Sequence, residues 1–193
     1  EFFTLGYSLI DCFQSEWHFE GESKVTETEA KLTESANEIT LAKLLEDKVI
    51  WSIPFFQRPY QWKTSTLEQF QEDLHLLIQN EEKVHFLGVI IFHDRPGHIP
   101  GFARIHDLID GQQRLTTVFL HLAAVVQALY LRARDSSQQK EIDEAKNRAE
   151  QITRNFLIAA DPPADLSNFR LHSAGEDMQG MNEVFKDAVS END

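Results

Sequence analysis

The fold is decided by one stretch of the chain, Ile109-Asp110-Gly111-Gln112-Gln113-Arg114-Leu115-Thr116-Thr117. The stretch starts at the last residue of a short strand pattern, 105–109. Asp110-Gly111, which follows, is a dipeptide typical of tight turns. From Gln112 the apolar residues recur at helical spacing, and further apolar residues line the opposite side, which predicts a buried central helix over 112–134. The stretch therefore predicts a strand, a turn and a core helix in direct succession.

Strand and helix patterns alternate on both sides of this stretch. The run 49–53 favours a strand that ends before Pro54, and the continuous apolar run 85–93 fits a strand covered on both faces. We expect these two strands and 105–109 to share one small mixed sheet, packed with several helices, in an α/β (α+β) domain. Further helices are predicted from Thr40, over 65–80, from Ser137 to Pro162, and over 177–189.

The composition bounds the kind of protein. The chain has 193 residues, of which 41% are hydrophobic and 26% charged. These values are ordinary for a single globular domain and exclude a disordered, collagen-like or coiled-coil chain. The net charge of −14 repels a phosphate backbone at long range. Any contact with nucleic acid or nucleotide therefore has to use a local site with a few well-placed cations.

Several features bear on the compartment and the domain limits. Cys12 is the only cysteine, which excludes an intramolecular disulfide and favours a reducing compartment, so we expect a cytoplasmic protein. The most apolar window, 115–131, is interrupted by polar residues and falls short of a clean membrane span. Residues 1–38 are predicted to be an extension or linker, and 39–193 to form the domain. Because the chain begins at Glu1, we expect it to be a fragment of a longer protein.

The turn at Asp110-Gly111 predicts an anion site. A helix that opens directly after a strand points unpaired N–H groups and the positive end of its dipole outward. Gly111 allows close approach of a ligand, Gln112 and Gln113 supply amide groups, and Arg114 supplies a planar fork suited to phosphate. Asp110 could hold a magnesium ion or orient a water molecule. The structural alternative is that Asp110 caps the helix and the following polar residues are solvated.

A second cluster lies upstream, at Ile53-Pro54-Phe55-Phe56-Gln57-Arg58-Pro59-Tyr60-Gln61-Trp62. Its aromatic residues could stack on a base or sugar while Arg58 meets a phosphate. The structural alternative is that the aromatic residues belong to the core and Arg58 only stacks on them. We expect both clusters to face one pocket. Neither cluster has the glycine spacing of a P-loop or a dinucleotide fingerprint.

A histidine-based metal site is the weaker interpretation. None of the candidate ligands has a tight helical spacing, and some of them are expected only to end a strand. No nucleophile-elbow pattern surrounds any serine. The candidate metal ligands are His85, His93, His98, His106, Asp94 and Asp107.

Three segments in this order, IPFFQRPYQW, HFLGVIIF and LIDGQQRLTTVFLHLAAV, resemble a known family. It is the N-terminal domain family of GmrSD-type modification-dependent restriction endonucleases, whose fold is ParB/sulfiredoxin-like. The resemblance covers about 39–189. It implies nucleotide binding and hydrolysis at the DGQQR motif, and a frequent fusion to an HNH-type nuclease domain that cuts modified DNA. No such nuclease motif follows Val189, so we expect the nuclease to be absent from this chain or to belong to a partner.

The resemblance implies a function in two forms. The first is a nucleoside triphosphatase with Mg²⁺ that gates a nuclease in a restriction or anti-phage defence system. The second is a non-catalytic sensor that binds nucleotide or modified DNA. The implied partners are a nucleoside triphosphate and DNA, reached through a local site or the missing nuclease domain; a homo-oligomer is left open and no membrane is implied. The site that the resemblance implies is Gln57 and Arg58 with Asp110, Gly111, Gln112, Gln113 and Arg114. The predicted catalytic residues are Asp110, Gln113 and Arg114; the predicted nucleotide-binding residues are Gln57, Arg58, Tyr60, Gly111, Gln112 and Thr116; the predicted metal ligand is Asp110.

Overall fold

The described part of the chain is a mixed β-sheet with helices packed against it. A computed structural model describes residues 38–46, 49–79, 85–160, 162, 168–175 and 177–190. Within these ranges the strands are β1 (Val49–Ile53), β2 (Ile91–Asp94), β3 (Arg104–Asp110) and β4 (Leu171–Ser173). The helices are α1 (Leu41–Glu46), α2 (Thr64–Gln79), α3 (Gln112–Asp135), α4 (Gln139–Ile152) and α5 (Met178–Val189), and a π-helical turn, Thr153–Leu157, continues α4.

The four strands lie in the order β2-β3-β1-β4. Strand β1 is parallel to both β3 and β4, whereas β2 is antiparallel to β3. All five residues of β1 are buried, as expected for a central strand covered on both faces. The predicted α/β class with a small mixed sheet is therefore confirmed. The strand β4 was not predicted from the sequence.

Helix α3 supplies much of the core. Its side chains at Leu115, Val118, Phe119 and Leu122 are at most 2% exposed. Burying each side chain of this size contributes about 1.5–3 kcal/mol relative to leaving it in water. The length and composition of α3 would also suit a membrane span. It packs against α4 and α5, and its buried residues belong to one hydrophobic core with residues of β1, β3 and β4, so α3 is the core helix of a globular domain.

One predicted strand is largely wrong. Only Ile91–Asp94 of the run 85–93 is a strand, and it lies at the edge of the sheet. The preceding residues are irregular because Gly88 has a φ of +101°, which extended backbone does not allow. Phe86 is 51% exposed and Phe92 41%, so the run is not covered on both faces.

The other predicted elements are found close to their expected positions. The strands at 49–53 and 105–109 and the long helix from Gln112 are confirmed. The helix expected to reach Pro162 ends at Ile152 and passes into the π-helical turn. Apart from Glu38, the predicted extension 1–38 lies outside the described residues, so the proposed domain limits stay a prediction.

Candidate functional site

A pocket of about 410 Å³ opens at the carboxyl end of β3, where α3 begins. A volume of this size falls within the range of small-molecule sites. The two clusters singled out from the sequence meet here, although about fifty residues separate them, so their expected juxtaposition is confirmed. The lining residues are Gln57, Arg58, Trp62, Ile109, Asp110, Gly111, Gln112, Gln113 and Arg114.

Gly111 shapes the turn at the floor of the pocket. It precedes α3 with a φ of 89°, in the left-handed region that favours glycine. A Cβ at this position would lie 3.2 Å from the Cα of Ile90 and 3.2 Å from the carbonyl oxygen of Val89. Because both neighbours are backbone atoms, a side chain would force the chain apart. Glycine therefore lets α3 start directly behind β3 and present its first N–H groups to the pocket.

Two glutamines fasten the QR loop, which we define as residues 54–62, to the start of α3. Gln112 Nε2 donates to the carbonyl oxygen of Arg58 at 2.8 Å. Gln113 Nε2 donates to the carbonyl oxygen of Pro59 at 3.1 Å, and Gln113 Oε1 accepts from the N–H of Gln61 at 2.8 Å. The side-chain amide of Gln113 thus pairs with loop backbone as a neighbouring strand would.

A further bond closes the other end of the QR loop. Gln57 Nε2 donates to the carbonyl oxygen of Ile109 at 3.1 Å, which joins the loop to the end of strand β3. The expected alternative, in which the glutamines are solvated first-turn residues, is wrong, because Gln112 and Gln113 are only 7% and 8% exposed. The Nε2 groups of Gln112 and Gln113 therefore hold the QR loop in place rather than a ligand.

One atom of Gln112 differs from the rest of this network. Its Oε1 is buried and has no hydrogen-bond partner among the residues that the structure describes. The orientation of the amide is fixed, since only Nε2 can donate to the carbonyl of Arg58. A buried acceptor without a partner costs about 1–3 kcal/mol. A donor N–H or O–H group that reached Oε1 would remove this cost.

The two arginines of the pocket are held differently. Arg114 Nη2 donates to the carbonyl oxygen of Val89 at 2.7 Å and lies 3.5 Å from Asp110 Oδ2. The Arg58 side chain is exposed, and its guanidinium has no hydrogen bond or ion pair with any residue in the described ranges. Arg58 is therefore the cation that is available to an anion, whereas Arg114 already supports the segment beside Gly88.

Asp110 is the carboxylate of the pocket. Its side chain is 63% exposed, with Arg114 as its neighbour. No group of three or more His, Cys, Asp or Glu side chains in the described ranges is arranged to hold a metal ion. His85 instead lies 3.7 Å from Asp73, and His106 pairs with Asp94. A single carboxylate still fits Mg²⁺, which commonly takes one or two carboxylates together with phosphate oxygens and water.

The structure does not bring Tyr60 and Thr116 to the pocket lining. Thr116 is only 2% exposed because it lies on the buried side of α3, so the pocket lends no support to its predicted contact with a nucleotide, which stays a prediction. The Tyr60 hydroxyl is 2.8 Å from Thr117 Oγ1, and the backbone N–H of Tyr60 donates to Asp177 Oδ2 at 2.5 Å. Burial raises the pKa of Tyr60, and the bond to Thr117 lowers it in part. Tyr60 thus anchors the QR loop.

Sequence reasoning missed other contributors to the site. Ile109 and Trp62 line the pocket, and Asp177 holds the QR loop from the start of α5. Trp62 could have been identified from the sequence, because it belongs to the aromatic segment 55–62. No sequence pattern links Asp177 to the QR loop, because 117 residues separate it from Tyr60.

The mixed sheet, the core helix and the polar pocket between β3 and α3 define an α/β domain with a candidate ligand site at a strand-to-helix turn. The family model described as the GmrSD restriction endonuclease, N-terminal domain, matches residues 41–190. The chain therefore belongs to this family, which confirms the resemblance, and it is a module of a restriction-type defence system. No curated protein matches the chain.

Proposed function

We propose that the pocket binds a nucleoside triphosphate with Mg²⁺ and hydrolyses it, and that this gates a nuclease supplied elsewhere. The observation that carries the proposal is that the Arg58 guanidinium, which has no partner in the described ranges, shares one pocket with the N-terminus of α3. An arginine side chain and a helix N-terminus both favour phosphate charge. The net charge of −14 makes such local groups necessary for any anion to bind.

Each lining residue has a proposed part in binding. Arg58 neutralises phosphate charge, and the first N–H groups of α3 donate to phosphate oxygens. Asp110 would hold the Mg²⁺, which supplies charge neutralisation between phosphate oxygens when it is bound. Gln112 Oε1 accepts from a hydroxyl or N–H group of the nucleotide. Arg114 keeps the segment at Val89 in place and adds positive charge at the pocket edge.

The second candidate function is a sensor that binds nucleotide or modified DNA without turnover. One observation favours it: both amide atoms of Gln113, a predicted catalytic residue, are bonded to the QR loop. A glutamine held in this way is not free to orient an attacking water molecule. In both cases the proposed setting is the cytoplasm and the proposed output is control of a nuclease acting on DNA; a homo-oligomer is a further proposal.

The test compares binding and turnover in matched variants. Arg58→Ala is expected to weaken binding of a nucleoside triphosphate with Mg²⁺ about tenfold or more, the effect of losing one charge-assisted contact. Its melting temperature should stay unchanged, because the guanidinium has no structural partner in the described ranges. Arg134→Ala, at an exposed arginine paired with Asp135, is the control. Equal binding by the parent and Arg58→Ala would refute the site.

Phosphate release separates the two candidate functions. The parent should release phosphate from the bound nucleotide in the presence of Mg²⁺, measured with and without DNA. Tight binding with no phosphate release under either condition would favour the sensor and contradict the triphosphatase.

A further inference from the structure

Two phenylalanines stand exposed at the turn that leads into the pocket. Phe55 is 77% exposed and Phe56 71%. The turn is closed by the N–H of Gln57, which donates to the carbonyl oxygen of Pro54 at 3.0 Å. This arrangement corrects the alternative in which these aromatic residues belong to the core. Leaving two large aromatic rings in water at one turn has no packing explanation, and exposed apolar clusters commonly mark binding sites.

The geometry of the pair suits a planar ligand. The ring centroids lie 5.6 Å apart with an interplanar angle of 81°. Two rings at a right angle form a corner, in which a flat group can stack on one ring face and meet the other ring edge-on.

The surroundings indicate which planar ligand fits. Phe56 directly precedes Gln57, so its Cα lies about 3.8 Å from that of a pocket-lining residue. Ile109, 54% exposed, is an apolar residue of the pocket lining itself. Exposed aromatic rings next in sequence to a polar pocket with the cation of Arg58 match a ligand that is aromatic at one end and anionic at the other.

We propose that Phe55 and Phe56 form the stacking platform for the base of the nucleotide whose phosphates occupy the pocket. The proposal rests on the proposed nucleotide-binding function and adds the residues that recognise the base. Stacking accepts any base, since every base has a π face. The platform should therefore raise affinity for all nucleotides, and discrimination between bases would come from groups that meet the base edge.

The experiment measures binding of two kinds of probe with Mg²⁺ to the full chain. The probes are each of the four common ribonucleoside triphosphates and inorganic tripolyphosphate, which carries phosphate but no base. Phe55→Ala/Phe56→Ala is expected to weaken binding of the nucleotides about fivefold or more, the loss of one stacked base. Binding of tripolyphosphate should stay unchanged. Phe102→Ala, at another exposed phenylalanine that lies outside the QR loop, is the control and should bind every probe as the parent does.

The outcomes separate this proposal from the one on which it rests. Nucleotide binding that is equal in the double variant and the parent overturns the platform and leaves the phosphate site standing. Equal affinity of the parent for tripolyphosphate and nucleotides does the same, because the base then adds nothing. If the parent binds neither probe, the nucleotide-binding function fails and the platform fails with it.

Discussion

The guanidinium of Arg114 lies against Gly88, so closely that a Cβ on Gly88 would fall 2.2 Å from Arg114 Nη1. The same guanidinium donates to the carbonyl oxygen of the next residue, Val89. The absence of a side chain at position 88 is therefore what allows Arg114 to hold this segment beside the pocket. The left-handed φ of +101° at Gly88 adds a second reason for glycine.

Gly88→Ala should be more costly than Gly97→Ala. Both glycines have positive φ, 101° and 84°, so both variants incur strain of about 1–2 kcal/mol. Only Gly88→Ala also displaces Arg114 from Val89, which adds about 0.5–1.5 kcal/mol. Nothing lies within 4 Å of a Cβ at Gly97. Urea denaturation of both variants measures the difference, which should shrink when Arg114→Ala is added to each. A difference that persists in that background would contradict the role of Arg114.

Gln113→Leu should destabilise the protein by about 1–3 kcal/mol. The variant removes the side-chain amide and leaves its two partners, the carbonyl of Pro59 and the N–H of Gln61, unpaired. Gln127→Leu, at an exposed position of the same helix, is the control and should change stability by less than about 0.5 kcal/mol. Denaturant unfolding gives both values. Equal stability of the two variants would show that the QR loop does not depend on Gln113.

The stability of the protein should depend both on the acceptor oxygen of Asp177 and on its charge. Its carboxylate accepts from the N–H of Tyr60, a charge-assisted bond between two distant parts of the chain. Asp177→Asn keeps an acceptor but loses the charge, whereas Asp177→Ala loses both. We expect stability to fall in the order parent, Asn variant, Ala variant, with the Ala variant lower than the parent by about 1.5–3 kcal/mol. Melting temperatures measured at one pH test the order, and an Ala variant as stable as the parent would contradict it.

His121 should make stability depend on pH. Burial lowers the pKa of His121 below its ordinary value of 6.5, and its ring packs edge-on against Phe70 at 5.7 Å. Below about pH 6.5 the unfolded chain therefore takes up this proton before the folded chain does. Stability is fully present above that pH and is lost as the pH falls towards the folded-state pKa.

The measurement is the free energy of unfolding of the parent and His121→Leu between pH 7.5 and 5.5. The loss of stability over this range should be smaller in the variant than in the parent. His98→Leu, at an exposed histidine, is the control and should lose as much stability as the parent does. Parallel pH curves for the parent and His121→Leu would contradict the assignment.

The sequence predicted those parts of the fold whose signals are local. The spacing of Leu115, Val118 and Leu122 indicates a buried helix without knowledge of its partners, and Asp110-Gly111 marks the turn before it. The irregular backbone around Gly88 depends on a contact with Arg114 that lies 26 positions further along the chain. The apolar residues on either side of Gly88 therefore gave the sequence pattern of a buried strand.

The site was predictable in its residue types but not in their roles. Proximity of the QR loop to α3 followed from two clusters of similar chemistry. The sequence could not show that Gln113 bonds to loop backbone while the Arg58 guanidinium has no partner among the described residues, because both outcomes depend on the tertiary path of the loop. Likewise, aromatic residues are usually buried, so the exposure of Phe55 and Phe56 could only come from the structure.

The amide of Gln113 makes the first turn of α3 and the QR loop a single cooperative unit. Because the N–H of Gln61 is bonded to this side chain, it exchanges with solvent only when the loop leaves the helix. The carbonyls bonded to Gln112 and Gln113 are released in the same opening. A ligand that slows hydrogen exchange at the start of α3 should therefore slow it at Gln61 as well. Binding of a ligand in the pocket would then be detected as slower hydrogen exchange at the backbone N–H of Gln61, on the QR loop.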